Sequence, residues 1–236
     1  MKRGVKRILI NANLKSIISK CVLLFFVAIS QSAFSGGILN LSHYSSADGL
    51  SDNRITTIIK DREGFVWLAS WAGINRFDGK KFIAFKSNPG DSSDLKSNRI
   101  DEIVEDKTSS FLWVRAYDNQ VYRFDKRKHT FTPLTKLISN TNFSKHQFAK
   151  ILSVSYGKVW LKTSKNSVIV VDDAGGNHPS FNELNTLNDS SQKLYFFYLD
   201  KQMNAWISNE RGLFLVKQDQ ECNYKIAQRF APHQNP

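Results

Sequence analysis

The side chains with the most chemical promise in this 236-residue chain gather in short polar turns. Trp71 heads the first group; Tyr117, Asp118 and Asn119 form the second, Lys165 and Asn166 the third, Glu210 and Arg211 the fourth. A flat ring stacks on the C–H faces of a pyranose, and carboxylate, amide and guanidinium groups pair with its hydroxyls, so this is the chemistry of sugar recognition. A structural role competes with it. Short polar residues such as Asp118 and Asn119 close turns through local hydrogen bonds, and Trp71 has packing over its own sheet edge as an alternative. The pairs Asn53-Arg54 and Asn98-Arg99 recur at equivalent positions, and recurrence of this kind is expected to serve turn formation.

Catalytic patterns are missing from the sequence. The five histidines, His43, His129, His146, His178 and His233, have no metal-ligand spacing, and no serine lies in a Gly-x-Ser-x-Gly turn. Asp172 and Asp173 are adjacent, which on a strand points them to opposite faces. Glycoside cleavage needs two convergent carboxylates, and Asp118 with Glu210 is the pair of turn residues that would have to supply them. Two cysteines are too few for a disulfide scaffold or a Cys-rich zinc module. The expectation is therefore a non-enzyme with no catalytic residue, metal or cofactor.

The elements that must carry these turns repeat. Trp67, Trp113, Trp160 and Trp206 are spaced by 46, 47 and 46 residues. Around each, an alternating apolar run, a turn, a run containing the Trp, a turn and a third apolar run follow in order. Runs of four to seven residues rich in Ile, Val, Phe and Trp between Gly, Asp, Asn and Lys read as short antiparallel strands. A fourth strand follows in each copy, after the Asp78-Gly79 hairpin signal in the first. Four strands recurring every 46 or so residues describe an all-β fold, a β-propeller with about four four-stranded blades. The expected blades are 50–86, 95–134, 148–184 and 194–230, with 38–44 as a closing strand, within a partial propeller over 36–236. The four repeating Trp are assigned to the core between blades. Turns after strand two and linkers after strand four share one face, where the candidate residues converge.

Residues 49–55 (GLSDNRI), 61–67 (DREGFVW) and 73–79 (GINRFDG), with Phe82, closely resemble the two-component regulator propeller repeat. The second copy keeps Leu95, Asn98-Arg99-Ile100, Asp106, Trp113 and Tyr122-Arg123-Phe124-Asp125; the third and fourth are degenerate. The resemblance implies the periplasmic sensor region of a hybrid two-component histidine kinase of Bacteroidetes type, with saccharide as the ligand class. Such sensors are similar to paired seven-bladed rings followed by a β-sandwich, a membrane helix and a kinase. Against that pattern the sequence reads as an amino-terminal fragment of an incomplete ring, lacking its own output domain. A protein-interaction scaffold or truncated remnant is the alternative, and a propeller glycoside hydrolase or lyase the less favoured one.

Charge and targeting complete the reading. Six of the 33 Lys and Arg lie in residues 1–35, a stretch with no acid, and without them the net charge falls from +12 to +6. The remainder is scattered, so no nucleic-acid partner is expected. Residues 1–35 have a basic start, an apolar run from Cys21 to Ile29 and small residues Ala33 and Ser35, which is a signal peptide pattern. The mature chain is expected in the periplasm, with Cys222 as its one thiol. Its expected partners are an oligosaccharide and, at exposed blade faces, missing blades or another chain. Membrane contact is expected only through a missing downstream region.

Overall fold

The computed structural model describes Lys20 and residues 41–87, 95–138, 142–172, 179–184, 193–220 and 223–231. Nearly all of the expected signal segment, residues 38–40, Asp173, His178, Cys222 and His233 lie outside the described residues. Every strand belongs to one compact unit, Tyr44–Pro236.

Sixteen strands form four antiparallel sheets, each in the order of its strands along the chain. The first holds β1 (Ile55–Lys60), β2 (Val66–Ser70), β3 (Gly73–Phe77) and β4 (Phe82–Phe85). The second holds β5 (Ile100–Glu105), β6 (Phe111–Ala116), β7 (Val121–Asp125) and β8 (Thr130–Pro133). The third holds β9 (Phe148–Ser155), β10 (Lys158–Thr163), β11 (Val168–Asp172) and β12 (Ser180–Glu183). The fourth holds β13 (Phe196–Leu199), β14 (Ala205–Asn209), β15 (Gly212–Gln218) and β16 (Tyr224–Phe230). One helical turn, α1 (Leu134–Leu137), follows β8 and buries Leu134 between the second and third sheets. Residues 41–44, the described part of the expected closing strand, belong to no sheet. Instead Tyr44 packs its ring against Phe77 and Phe82.

Turn chemistry explains why the strands stop where they do. Between β1 and β2 the Asp61 carboxylate accepts the Glu63 and Phe65 amides at 3.0 and 2.9 Å. After β3, Asp78 accepts those of Lys80 and Lys81, both at 2.9 Å. Gly73 opens β3 at φ 109°, and a Cβ there would run into the Phe85 carbonyl, so only glycine fits.

The sheets stack in sequence order, so among the described residues the second and third have both faces covered while the first and fourth each keep one open. Trp67, Ala69 and Ile74 of the first sheet pack against Ile100, Ile103, Leu112, Val114 and Tyr122 of the second. Trp113 and Val121 meet Phe148, Ile151, Val159 and Leu161 of the third, and Trp160 with Val168 and Val170 meets Ala205, Ile207 and Phe214 of the fourth. Hydroxyls tie the inner strands together: Thr56 donates to the Ile100 carbonyl at 2.7 Å and Thr57 to that of Asp101 at 3.1 Å. The molecule is a β-propeller arc of four blades. Among the described residues no core cluster joins the fourth sheet to the first.

Trp67, Trp113 and Trp160 are at most 1% exposed. Trp206 departs from the expected role. It is only half-buried and stacks on Phe230 with centroids 5.9 Å apart, because no further sheet covers its face among the described residues. Phe196 and Tyr198, which flank it on β13, are exposed as well.

Candidate functional site at the turn end of the blades

Antiparallel pairing brings the residue ahead of each first strand beside the turn between the second and third. Ile55 pairs with Ser70, which sets Arg54 next to Trp71, and Ile100 pairs with Ala116, which sets Arg99 next to Tyr117. The Tyr117 amide donates to the Arg99 carbonyl at 2.9 Å. The Gly73 amide donates to the Asn98 carbonyl at 2.7 Å and fastens the first sheet's turn to the second sheet's entry.

These pairings build a stack that crosses from one blade to the next. The Arg54 guanidinium carbon lies 4.0 Å from the Trp71 ring centroid, and that of Arg99 lies 4.0 Å from the centroids of both Trp71 and Tyr117. Two guanidiniums at that height exclude each other from one side of a ring, so Arg54 and Arg99 occupy opposite faces of Trp71. Trp71, expected as a sugar platform, thus has both faces covered and shows its edge, with 37% of its surface exposed. Tyr117 has Arg99 on one face only and is 59% exposed.

Asp52 pins the near end of the stack, accepting Arg54 Nε and Nη2 at 3.0 and 2.9 Å. The Arg54 guanidinium in turn holds the Asp52 carboxyl below the usual carboxylate range. Arg99 Nε is buried without a hydrogen-bond partner and stands 3.7 Å from Asp101, which is engaged at 3.1 Å by Arg115. The asparagines of the two recurrent pairs do the turn work. Asn53 accepts the Ser46 amide at 2.7 Å, and Asn98 both accepts from and donates to the Ser87 backbone at 2.7 Å. The pairs thus divide, with asparagine closing the linker and arginine entering the stack.

At the third sheet the stack gives way to a cavity. The places of Arg99 and Tyr117 are taken by Gln147 and Ser164, joined by the Ser164 amide to the Gln147 carbonyl at 2.8 Å. The Phe148 amide reaches back to the Asn119 carbonyl at 2.8 Å, linking this region to the Tyr117 turn. A cavity of about 520 Å³ opens here, with Gln147, Ser164, Thr163, Ser167 and Asn142 as neutral polar walls. Lys145, Lys165 and Glu183 supply its charges, and His146 Nε2 lies 3.9 Å from Glu183. Lys162, next along β10, has its pKa pushed down by burial and then by the charges of Lys193 and Lys150.

The other candidates have local duties. Asp118 accepts the Tyr122 hydroxyl at 2.6 Å and the Gln120 amide at 3.0 Å. Asn119 and Asn166 hold left-handed turn positions at φ 59° and 64°. Glu210 accepts the Tyr195 hydroxyl at 3.0 Å, and the Arg211 amide donates to Asn209 at 2.8 Å, both within the fourth sheet. Asp118 and Glu210 thus belong to the turns of different sheets, and each is bonded to its own sheet's tyrosine. The arrangement brings Trp71 and Tyr117 together through Arg99, sets Lys165 at the cavity and leaves Glu210 and Arg211 apart. At the opposite end of the blades is a cluster not foreseen from sequence: buried Lys126, 3.3 Å from Asp61, 3.1 Å from Glu105 and 3.7 Å from Glu63. Among the described residues no group of three or more His, Cys, Asp or Glu is disposed to hold a metal, and no helix is long and apolar enough to cross a membrane.

Residues 49–72, which contain Arg54, Trp67 and Trp71, match the family model described as two component regulator propeller. The chain carries a two-component regulator propeller repeat. Over 74 residues it is 34% identical to histidine kinase P4 of Formosa agariphila, a stretch that is 31% of this chain and 5% of that kinase. The propeller arc is similar to the β-propeller domain of Cps50 (Swd1) from Myceliophteria thermophila, with a TM-score of 0.52 and 10% identity, covering 83% of this chain and 58% of that one. It also matches the extracellular domain of hybrid two component system BT3049 of B. thetaiotaomicron, with a TM-score of 0.41 and 16% identity over 78% of this chain and 31% of that one.

Proposed function

We propose that this propeller arc is the ligand-sensing segment of an exported two-component regulator, that its ligand is a saccharide, and that its signalling output resides in another part of the system. The observation that carries the reading is the free face of Tyr117. The turn that carries Tyr117 is fastened to the entry of the third sheet by the Phe148 amide on the Asn119 carbonyl, and that sheet bears a cavity walled by amides and hydroxyls. A ring beside such a cavity offers a pyranose a stacking surface and partners for its hydroxyls. A volume of about 520 Å³ lies within the usual range of small-ligand sites, roughly 300–1,000 Å³. The periplasm is where such a sensor meets its ligand.

Calorimetric titration with an oligosaccharide panel tests this. At least one saccharide is expected to bind, and Tyr117→Ala is expected to weaken it about fivefold, the loss of roughly 1 kcal/mol that a stacked ring supplies. No binding across the panel, or binding indifferent to Tyr117→Ala, sinks the saccharide reading. A second reading, docking of another chain, is favoured by one separate observation: Phe196 and Tyr198 stand exposed beside Trp206 on the outer face of the fourth sheet.

A further inference from the structure

We infer that the turn-end site selects saccharides bearing a negatively charged group, a uronate carboxylate or a sulfate ester, with Lys145, Lys165 and the edge of Arg99 as the cations that receive it. This rests on the saccharide reading above and names the ligand class within it.

The argument is an inventory of which charges at this end are already matched. Arg54 is committed to Asp52 through two nitrogens. Arg115 lies 3.1 Å from Asp101 and 3.6 Å from Glu102, and Glu102 also accepts the Ile151 amide at 3.0 Å. Asp118 is turned to the Tyr122 hydroxyl and the Gln120 amide. Among the described residues the one carboxylate lining the cavity, Glu183, faces His146. What remains is Lys145 and Lys165, for which no ion pair is found among the described residues, and Arg99, whose nearest carboxylate is 3.7 Å away.

Chemistry then favours an anion. Lysine is a donor without an acceptor, so it satisfies a neutral sugar's hydroxyls less well than the carboxylates and amides that accept and donate. With a carboxylate or sulfate oxygen it forms the shorter, charge-assisted bond, about twice as strong as a neutral one. Arg99 adds orientation. Rings at 4.0 Å on both sides hold its plane, leaving only the edge for hydrogen bonding, and that edge is the part of a guanidinium that matches a two-oxygen anion. The Phe148 amide on the Asn119 carbonyl joins the Tyr117 turn to the sheet that bears the lysine-lined cavity, so an oligosaccharide lying along the blade ends meets both cation sets.

Titration of the full chain with matched ligands separates the outcomes. The probes are tetragalacturonate and its fully methyl-esterified neutral counterpart, a carrageenan tetrasaccharide and its desulfated form, and sodium sulfate and acetate alone. We expect an acidic oligosaccharide to bind at least tenfold tighter than its neutral counterpart. The double variant Lys145→Gln, Lys165→Gln should erase that preference while leaving the melting temperature unchanged. Arg99→Lys should weaken the acidic ligand more than the neutral one, and the preference should shrink as salt rises. Whether the uronate or the sulfate is preferred identifies the source of the charge. Equal affinity for acidic and neutral forms overturns the inference and leaves the saccharide reading standing. Sulfate or acetate ions alone binding as tightly as the oligosaccharides, with loss in the lysine variant, upholds the cation site and overturns the saccharide reading. Failure of every probe to bind overturns both.

Discussion

In the first sheet Asp61 lies six residues before Trp67 and accepts its indole N–H at 2.7 Å; in the fourth, Asp200 lies six residues before Trp206 and accepts the same bond at 3.3 Å. The two corners share their local chemistry, since each aspartate also accepts turn amides, from Glu63 and Phe65 in one and from Gln202 and Asn204 in the other. They differ in what lies beyond. The second sheet covers Trp67 and extends Lys126 over Asp61, whereas Trp206 has its face half-open. The repeat thus specifies the ring in all four sheets but the indole bond only in these two, since Trp113 and Trp160 Nε1 are buried without a partner among the described residues, and the neighbouring sheet specifies how much burial each ring gains. The inner strands show the same contrast: Ile103 on β5 is 1% exposed against the first sheet, while its counterpart Ile58 on β1, which no other sheet covers among the described residues, is 62% exposed.

Replacing each tryptophan measures that difference, and the largest effect is expected here. Trp67→Ala removes a fully buried ring and leaves a cavity between two sheets, at a cost of about 3–5 kcal/mol. Trp206→Ala gives up a half-buried ring to solvent, with little cavity, and should cost about 1–2 kcal/mol by the same reasoning. Urea unfolding of both variants is the measurement, and equal losses would show that the covering sheet adds nothing.

The strand plan could be read from the sequence because a period of two and four evenly spaced Trp are local signals. Each first strand is found within a residue or two of its apolar run, and the tight turns sit on the Asp and Gly that announce them. Coverage was not legible in the same way. Trp206 has the sequence neighbourhood of a core Trp, and only the sheets packed around it distinguish it from Trp113. The stack was half legible: Asn53-Arg54 and Asn98-Arg99 recur visibly, but that Arg99 reaches a ring of the preceding blade follows from how two sheets lie together. Lys126 was hidden for a related reason. It stands in the turn 125–129, which reads as a solvated hairpin, yet its ammonium is drawn across the blade boundary to Asp61 and Glu105.

Lys126 gives the next effect in size. Lys126→Met keeps the apolar stem and removes the charge, leaving Asp61 and Glu105 without their buried cation. Because Asp61 retains three N–H donors, the cost should fall below the range for a fully orphaned buried charge, at about 2–3 kcal/mol near neutral pH. Burial pushes the Asp61 carboxyl up, but the Trp67 indole, Lys126 and the Phe65 amide together outweigh it and hold the carboxyl below its ordinary value. A depressed folded pKa means that this stabilisation is fully present above the unfolded carboxyl's pKa, about 4, and is lost as pH falls through the lower folded value. Stability should therefore decline in acid below about pH 4, and the decline should be shallower in Lys126→Met, where the cation that favours the charged carboxyl is gone. Unfolding free energies from pH 7 down to pH 2 compare the two, and parallel curves would show that Lys126 does not set the Asp61 titration.

Trp71 carries the smallest effect on stability and sharpens the contrast between the two ends of the blades. At the Lys126 end the charges are buried and each lost partner is costly, whereas at the turn end Arg54, Arg99 and Trp71 are all partly in water. Cation–π contacts at exposed sites are worth about 0.5–1 kcal/mol each, and both guanidiniums regain hydration when the ring is removed. Trp71→Ala should then cost about 1 kcal/mol in urea unfolding, well below Trp67→Ala, although both residues lie within the same matched segment of the first blade. The ring's larger role is orientation, because without it the Arg99 plane is supported by Tyr117 alone. Trp71→Leu restores apolar contact without a π face, so it should recover part of the stability and none of the clamp on Arg99. A loss for Trp71→Ala as large as that for Trp67→Ala would mean that the stack is core rather than an ordered surface.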